Sequence, residues 1–124
     1  MNRISFQLQL TADSIVQYAD SIGSPLQTIR GAAVAPSTMP VTFWTREDAF
    51  WLPKGHAIIL GTQQFNYHAP LIAGMSLDCE LSLLRVEQKT GRQGVLTFYT
   101  HSLVCCYRGK PIAAAETVLI GIGE

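Results

Sequence analysis

Three long apolar-rich segments in the second half of the chain, 75–88, 94–107 and 111–122, are joined by KTGRQ at 89–93 and RGK at 108–110. Parallel strands need a crossover of a dozen or more residues, so connections this short make the three segments an antiparallel meander. A fourth β-rich stretch, Ala57–Tyr67, precedes them. A sheet of this size has one face to bury, and the first half of the chain must supply the cover.

That half reads as strand, helix, loop and short helix. Ile4, Phe6, Leu8 and Leu10 alternate with Ser5, Gln7 and Gln9, the period of a half-buried strand. Thr11 is placed to cap a helix over 12–22, where Ile15, Ala19 and Ile22 recur at helical spacing, Asp13 complements the dipole and Gly23 stops the element. Pro25 forbids continuation. Residues 23–36 read as an ordered loop, and 38–45 as a short helix with Ser37 as its cap and Pro40 in its first turn. The expectation is one α+β domain over 1–124, an antiparallel sheet wrapped against a helix.

With 124 residues, the chain is long enough to bury roughly two-thirds of its unfolded surface in one core. Nine basic residues balance nine acidic ones with no basic run, which argues against a nucleic-acid partner. Polar residues interrupt Met1–Leu10, and no apolar segment approaches membrane-spanning length, so the expected address is the cytoplasm, away from a membrane. Cys79, Cys105 and Cys106 have no metal-binding spacing and read as reduced, buried thiols of the core or of an interface, the adjacent pair facing opposite sides of a strand; no metal or cofactor is expected.

VAPST (34–38), FNYHAPLIAGM (65–75) and YRGKPIAAAETVLI (107–120) resemble the N-terminal, FAS1-type dehydratase domain of the MaoC-like hydratase family, over nearly the whole chain. The most specific part is Tyr67-His68-x-Pro70-Leu71-x-x-Gly74. The resemblance implies a hot-dog fold, and an acyl thioester on coenzyme A or acyl carrier protein as ligand. Active members carry a segment like F-A-x-x-x-G-D-x-N-P-x-H, whose Asp and His activate one water and move its protons. Here YADSIGSPLQTIRG (18–31) keeps Tyr18, Ala19 and Gly23 but has Ser24 at the Asp position. The His position falls on Ile29 without gaps, or on Gln27 when the prolines are aligned. None of these side chains can accept and return a proton near neutral pH unaided.

The resemblance therefore implies a binding half without a catalytic half. Pro36, Ser37, Thr38, Tyr67 and His68 are the expected substrate-binding residues, with the Ser37 and Thr38 N–H groups available to polarise a thioester carbonyl. The leading expectation is a non-catalytic partner of a catalytic hot-dog subunit. A homodimeric hydratase or thioesterase using His68 or Asp48, and a non-enzymatic ligand-binding module, are the alternatives. His68 also reads as an anchor of its strand, His101 as a strand-face residue and His56 as a solvated loop residue. Tyr18 and Tyr67 fit either core or acyl tunnel, and Phe43, Trp44, Phe50 and Trp51 form an aromatic cluster suited to a subunit interface. Arg30 suits either a coenzyme phosphate or the loop itself, and 46–48 a solvated charged turn.

Overall fold

The computed structural model describes residues 2–55, 57–92 and 94–123. The order is β1 (Arg3–Gln9), α1 (Ala12–Ser21), β2 (Gln27–Ile29), β3 (Ala32–Val34), a 3₁₀ turn (Met39–Thr42), β4 (Ala57–Tyr67), β5 (Ser76–Gly91), β6 (Gly94–Tyr107) and β7 (Lys110–Ile122). Five strands form one antiparallel sheet in the order β1-β5-β6-β7-β4. The meander β5–β6–β7 is its centre, as the short connections require.

Alternation sends Leu77, Cys79 and Leu81 of β5, Leu103 and Cys105 of β6, and Ala113 and Ala115 of β7 to one face. Helix α1 meets that face with Ile15, which belongs to the same core, and Ala19 on the same helix is buried as well. Its ends follow the sequence signals. Thr11 Oγ1 accepts from the Ser14 N–H at 3.1 Å. At the other end Gly23, at φ +67°, lets the Ser24 N–H return to the Ala19 carbonyl at 2.9 Å. The sheet over a single helix is the hot-dog arrangement.

Two parts of the first half differ from the sequence expectation. The loop 23–36 contains a hairpin, β2–β3, turned by Arg30 at φ +52° and Gly31 at φ +81°. The same pair of positive angles recurs at Arg108 (+52°) and Gly109 (+81°) between β6 and β7, so one Arg-Gly signal builds both two-residue turns. Arg30 is thus a turn residue. The helix expected over 38–45 is a single 3₁₀ turn at 39–42, with the Phe43 N–H on the Pro40 carbonyl at 3.1 Å. Pro40 lies within that first turn, and Ser37 does not cap it; the cap position belongs to Thr38, whose hydroxyl is bonded elsewhere.

The aromatic cluster is divided. Phe43 is core, whereas Phe50 stands 62% exposed. Trp44 and Trp51 pack on His101, with ring centroids 5.1 and 5.8 Å away, and the indole N–H of Trp51 donates to His101 Nε2 at 2.9 Å. The 43–52 connection is thereby fastened onto β6 by its own aromatic residues, and only Phe50 keeps the exposure an interface would use. No helix among the described residues is long and apolar enough to cross a membrane.

Candidate functional site

Two motif segments far apart in sequence are stitched together by backbone hydrogen bonds. The Ala35 N–H donates to the Leu71 carbonyl at 2.8 Å, the Ala73 N–H to the Ala33 carbonyl at 2.9 Å, and Val34 bridges Ile72. The end of β4 is held in turn by β7, through the His68 N–H on the Ile112 carbonyl at 2.8 Å. This seam and the end of α1 border an open cavity of about 650 Å³. Val34, Ala35, Pro36 and Leu71 form its apolar part, and Ser24, Gln27, Ser37, Thr38, Tyr67 and His68 its polar part.

All five residues expected to bind substrate, Pro36, Ser37, Thr38, Tyr67 and His68, line this cavity, and so do Ser24 and Gln27. Ile29 does not; it lies exposed on β2. Of the two residues that the alignments put at the histidine position, Gln27 is therefore the one beside Ser24 in space. Among the described residues, no aspartate or glutamate lines the cavity. Asp48 is occupied elsewhere, its Oδ2 accepting from the Thr45 N–H at 2.8 Å and the Thr45 hydroxyl at 3.2 Å.

Two tyrosines converge on one short segment of the wall. The Tyr67 hydroxyl donates to the Ser37 carbonyl at 2.5 Å, and the Tyr18 hydroxyl shares a 2.6 Å hydrogen bond with Thr38 Oγ1. Tyr67 reaches this position because β4 alternation sends it, like Phe65, to the helix side. Burial, reinforced by Cys105 and Tyr18 nearby, pushes its phenol up to about 12, so it stays protonated and able to donate at physiological pH. Core packing and cavity lining are here the same role. The backbone N–H groups of Ser37 and Thr38 have no protein acceptor among the described residues.

His68 is anchored through its backbone, not its ring: the side chain is exposed and makes no protein hydrogen bond among the described residues. His101 is fully buried, outside the cavity. Its Nδ1 is 3.0 Å from the Tyr99 carbonyl and its Nε2 accepts from Trp51, an arrangement that requires the neutral Nδ1–H tautomer. Burial holds its pKa below the usual imidazole value. His56 lies outside the described residues. No group of three His, Cys, Asp or Glu side chains converges among the described residues in a way that would hold a metal.

An antiparallel sheet over one helix, with a cavity where the helix end meets the 34–38 and 67–71 segments, defines a protein of the hot-dog fold. The chain belongs to the FAS1-like dehydratase domain family, whose model matches residues 5–115. No curated protein sequence matches it. Among solved structures it is similar to a chain of the C-terminally truncated HadBC (3R-hydroxyacyl-ACP dehydratase) complex from Mycobacterium tuberculosis. That likeness has a TM-score of 0.77 at 20% identity, over 96% of this chain and 93% of that one. The (R)-hydratase of A. caviae involved in PHA biosynthesis gives a TM-score of 0.67 at 12% identity, over 94% and 92%. The ChsH1–ChsH2 complex of M. tuberculosis gives 0.63 at 13% identity, over 98% and 85%. These likenesses establish the hot-dog fold.

Proposed function

We propose that the chain binds the acyl thioester of coenzyme A or acyl carrier protein in the 650 Å³ cavity and works as the non-catalytic partner of a catalytic hot-dog subunit. The observation that carries this reading is the lining itself. Ser24 and Gln27 share the cavity with His68, and among the described residues no carboxylate is there to pair with an imidazole. Hydration of an enoyl thioester needs a base for water and an acid for the substrate carbon, both within reach of one molecule. The cavity keeps what binding needs: an apolar wall, and the Ser37 and Thr38 N–H groups for a polarised carbonyl. The names of two similar structures, HadBC and ChsH1–ChsH2, are those of two-protein complexes, which supports a partner for this chain.

The test uses the purified chain with crotonyl-coenzyme A, followed by loss of the enoyl absorbance. The expected result is no turnover above buffer, together with a thermal shift on adding saturated acyl-coenzyme A species. Robust turnover by the chain alone would overturn the reading.

One observation favours a second reading: His68 lines the cavity, and its ring has no protein hydrogen-bond partner among the described residues. In a homodimeric hydratase or thioesterase it would be the proton-transfer group. Turnover that disappears in His68→Ala and survives in Asp48→Ala would select this reading over the first.

A further inference from the structure

The cavity wall carries more hydrogen-bonding groups than the fold itself uses. Tyr67 and Tyr18 are engaged, with the Ser37 carbonyl and the Thr38 hydroxyl. Ser24 and Gln27 line the same cavity, and their side chains have no protein hydrogen-bond partner among the described residues. No Asp, Glu, Lys or Arg among the described residues lines it. We propose, on the acyl-thioester reading given above, that Ser24 and Gln27 are specificity-determining residues. They select acyl groups that carry an uncharged oxygen close to the thioester, a hydroxyl or a keto group, over plain alkyl groups.

Both positions are held by backbone hydrogen bonds. Gly23 turns the chain so that the Ser24 N–H returns to the Ala19 carbonyl at 2.9 Å, which fixes Ser24 at the end of α1. Gln27 stands directly opposite Val34 in the β2–β3 hairpin, and Val34 in turn bridges Ile72. Directly opposed residues project to the same face of a strand pair, so the Gln27 side chain emerges beside Val34, which also lines the cavity. The polar pair therefore borders the apolar wall of Val34, Ala35 and Leu71.

The chemistry of the ligand follows from these side chains. Gln27 is exposed and Ser24 half-buried, so water satisfies both while the cavity is empty of ligand. An alkyl acyl group displaces that water and offers no hydrogen bond in return. An amide and a serine hydroxyl each present a donor and an acceptor. A ligand hydroxyl uses both, and a keto oxygen accepts from either. A charged acyl substituent finds no opposite charge among the described Asp, Glu, Lys and Arg side chains. A cavity of about 650 Å³ has the size of a small-molecule site; with the thioester inside it, the first acyl carbons are the ones within reach. A site that hydrogen-bonds an oxygen discriminates against the analogue lacking it, because its polar groups are then left unpaired.

Calorimetric titration of the intact chain with butyryl-, (R)-3-hydroxybutyryl- and acetoacetyl-coenzyme A reads the selection. The two oxygenated esters are expected to bind about tenfold more tightly than butyryl-coenzyme A. Gln27→Leu and Ser24→Ala, each made alone, should lower that ratio by about threefold without weakening butyryl-coenzyme A. The proposal is overturned if the wild type binds all three esters equally, or if neither variant changes the ratio; in both cases binding of the thioester itself would stand. If none of the three esters binds, the acyl-thioester reading falls and this inference falls with it. The wild-type ratio and the two independent variants keep the test decisive even if one variant does not fold.

Discussion

Tyr67 shows how one side chain serves both core and cavity. Its ring packs against the core and its hydroxyl holds the Ser37 carbonyl, so Tyr67→Phe should keep the fold and lose one hydrogen bond, about 0.5–1.5 kcal/mol, in urea unfolding at pH 7. The phenol also carries a pH signature. Its native value near 12 lies above the model-compound value of 10.0, so between these two the folded chain holds a proton that the unfolded chain has released. Its contribution is complete below pH 10 and declines as pH rises towards 12. The wild type should therefore lose urea stability more steeply than Tyr67→Phe above pH 10, and parallel curves would refute the assignment. The motif at 67–74 singles out this residue in the sequence. Its bond to Ser37, thirty positions away, is not legible there, because no local pattern encodes which carbonyl a phenol reaches.

At the scale of elements, the meander and α1 are legible because alternation and helical spacing are local signals. The β2–β3 hairpin carried its own signal too: Arg30-Gly31 repeats the Arg108-Gly109 turn. It is obscured because three-residue strands are too short to show a period. The attachment of the 43–52 connection depends on tertiary contact between Trp51 and His101. Its pH dependence has a definite sign: the buried ring has a depressed pKa, so the unfolded chain takes up a proton that the folded chain refuses. The contribution is present above about pH 6.5 and is lost as pH falls below it. A urea midpoint that declines from pH 7 to pH 5 is expected, with the decline reduced in His101→Gln. Trp51→Phe leaves Nε2 buried without its donor and should cost about 1–3 kcal/mol at pH 8. In β4, Gly61 sits at a bulge where a Cβ would lie 2.9 Å from Ile120 Cδ1 and 3.1 Å from the Val118 carbonyl. Gly61→Ala should accordingly destabilise by about 1–3 kcal/mol, measured the same way.

For the whole molecule, the open sheet edges are where a partner subunit would add. Strand β1 is one edge of the sheet and pairs with β5 only as far as Ser82, so β5 beyond the bulge at 83–85 continues that edge, and β4 is the other. The β5 edge carries Arg85, Glu87 and Lys89, with Arg85 and Glu87 paired at 3.4 Å; charges of this kind block strand addition. None of the eleven residues of β4 is charged, and Ile59 and Leu60 remain 51% and 54% exposed. A long uncharged edge left open, with an apolar first half, is an aggregation hazard, so β4 is the edge on which the proposed subunit pairing should occur. Ile59→Lys with Leu60→Lys touches no buried position of the chain itself, so the fold of the protomer should survive both changes. In sedimentation at equal concentration, the wild type is expected as a dimer, or as a heteromer when a catalytic subunit is present. The double variant should sediment as a monomer with unchanged circular dichroism. An assembly mass unaltered by both lysines would place the partner on another surface, and the cavity would then have to be completed from a side other than β4.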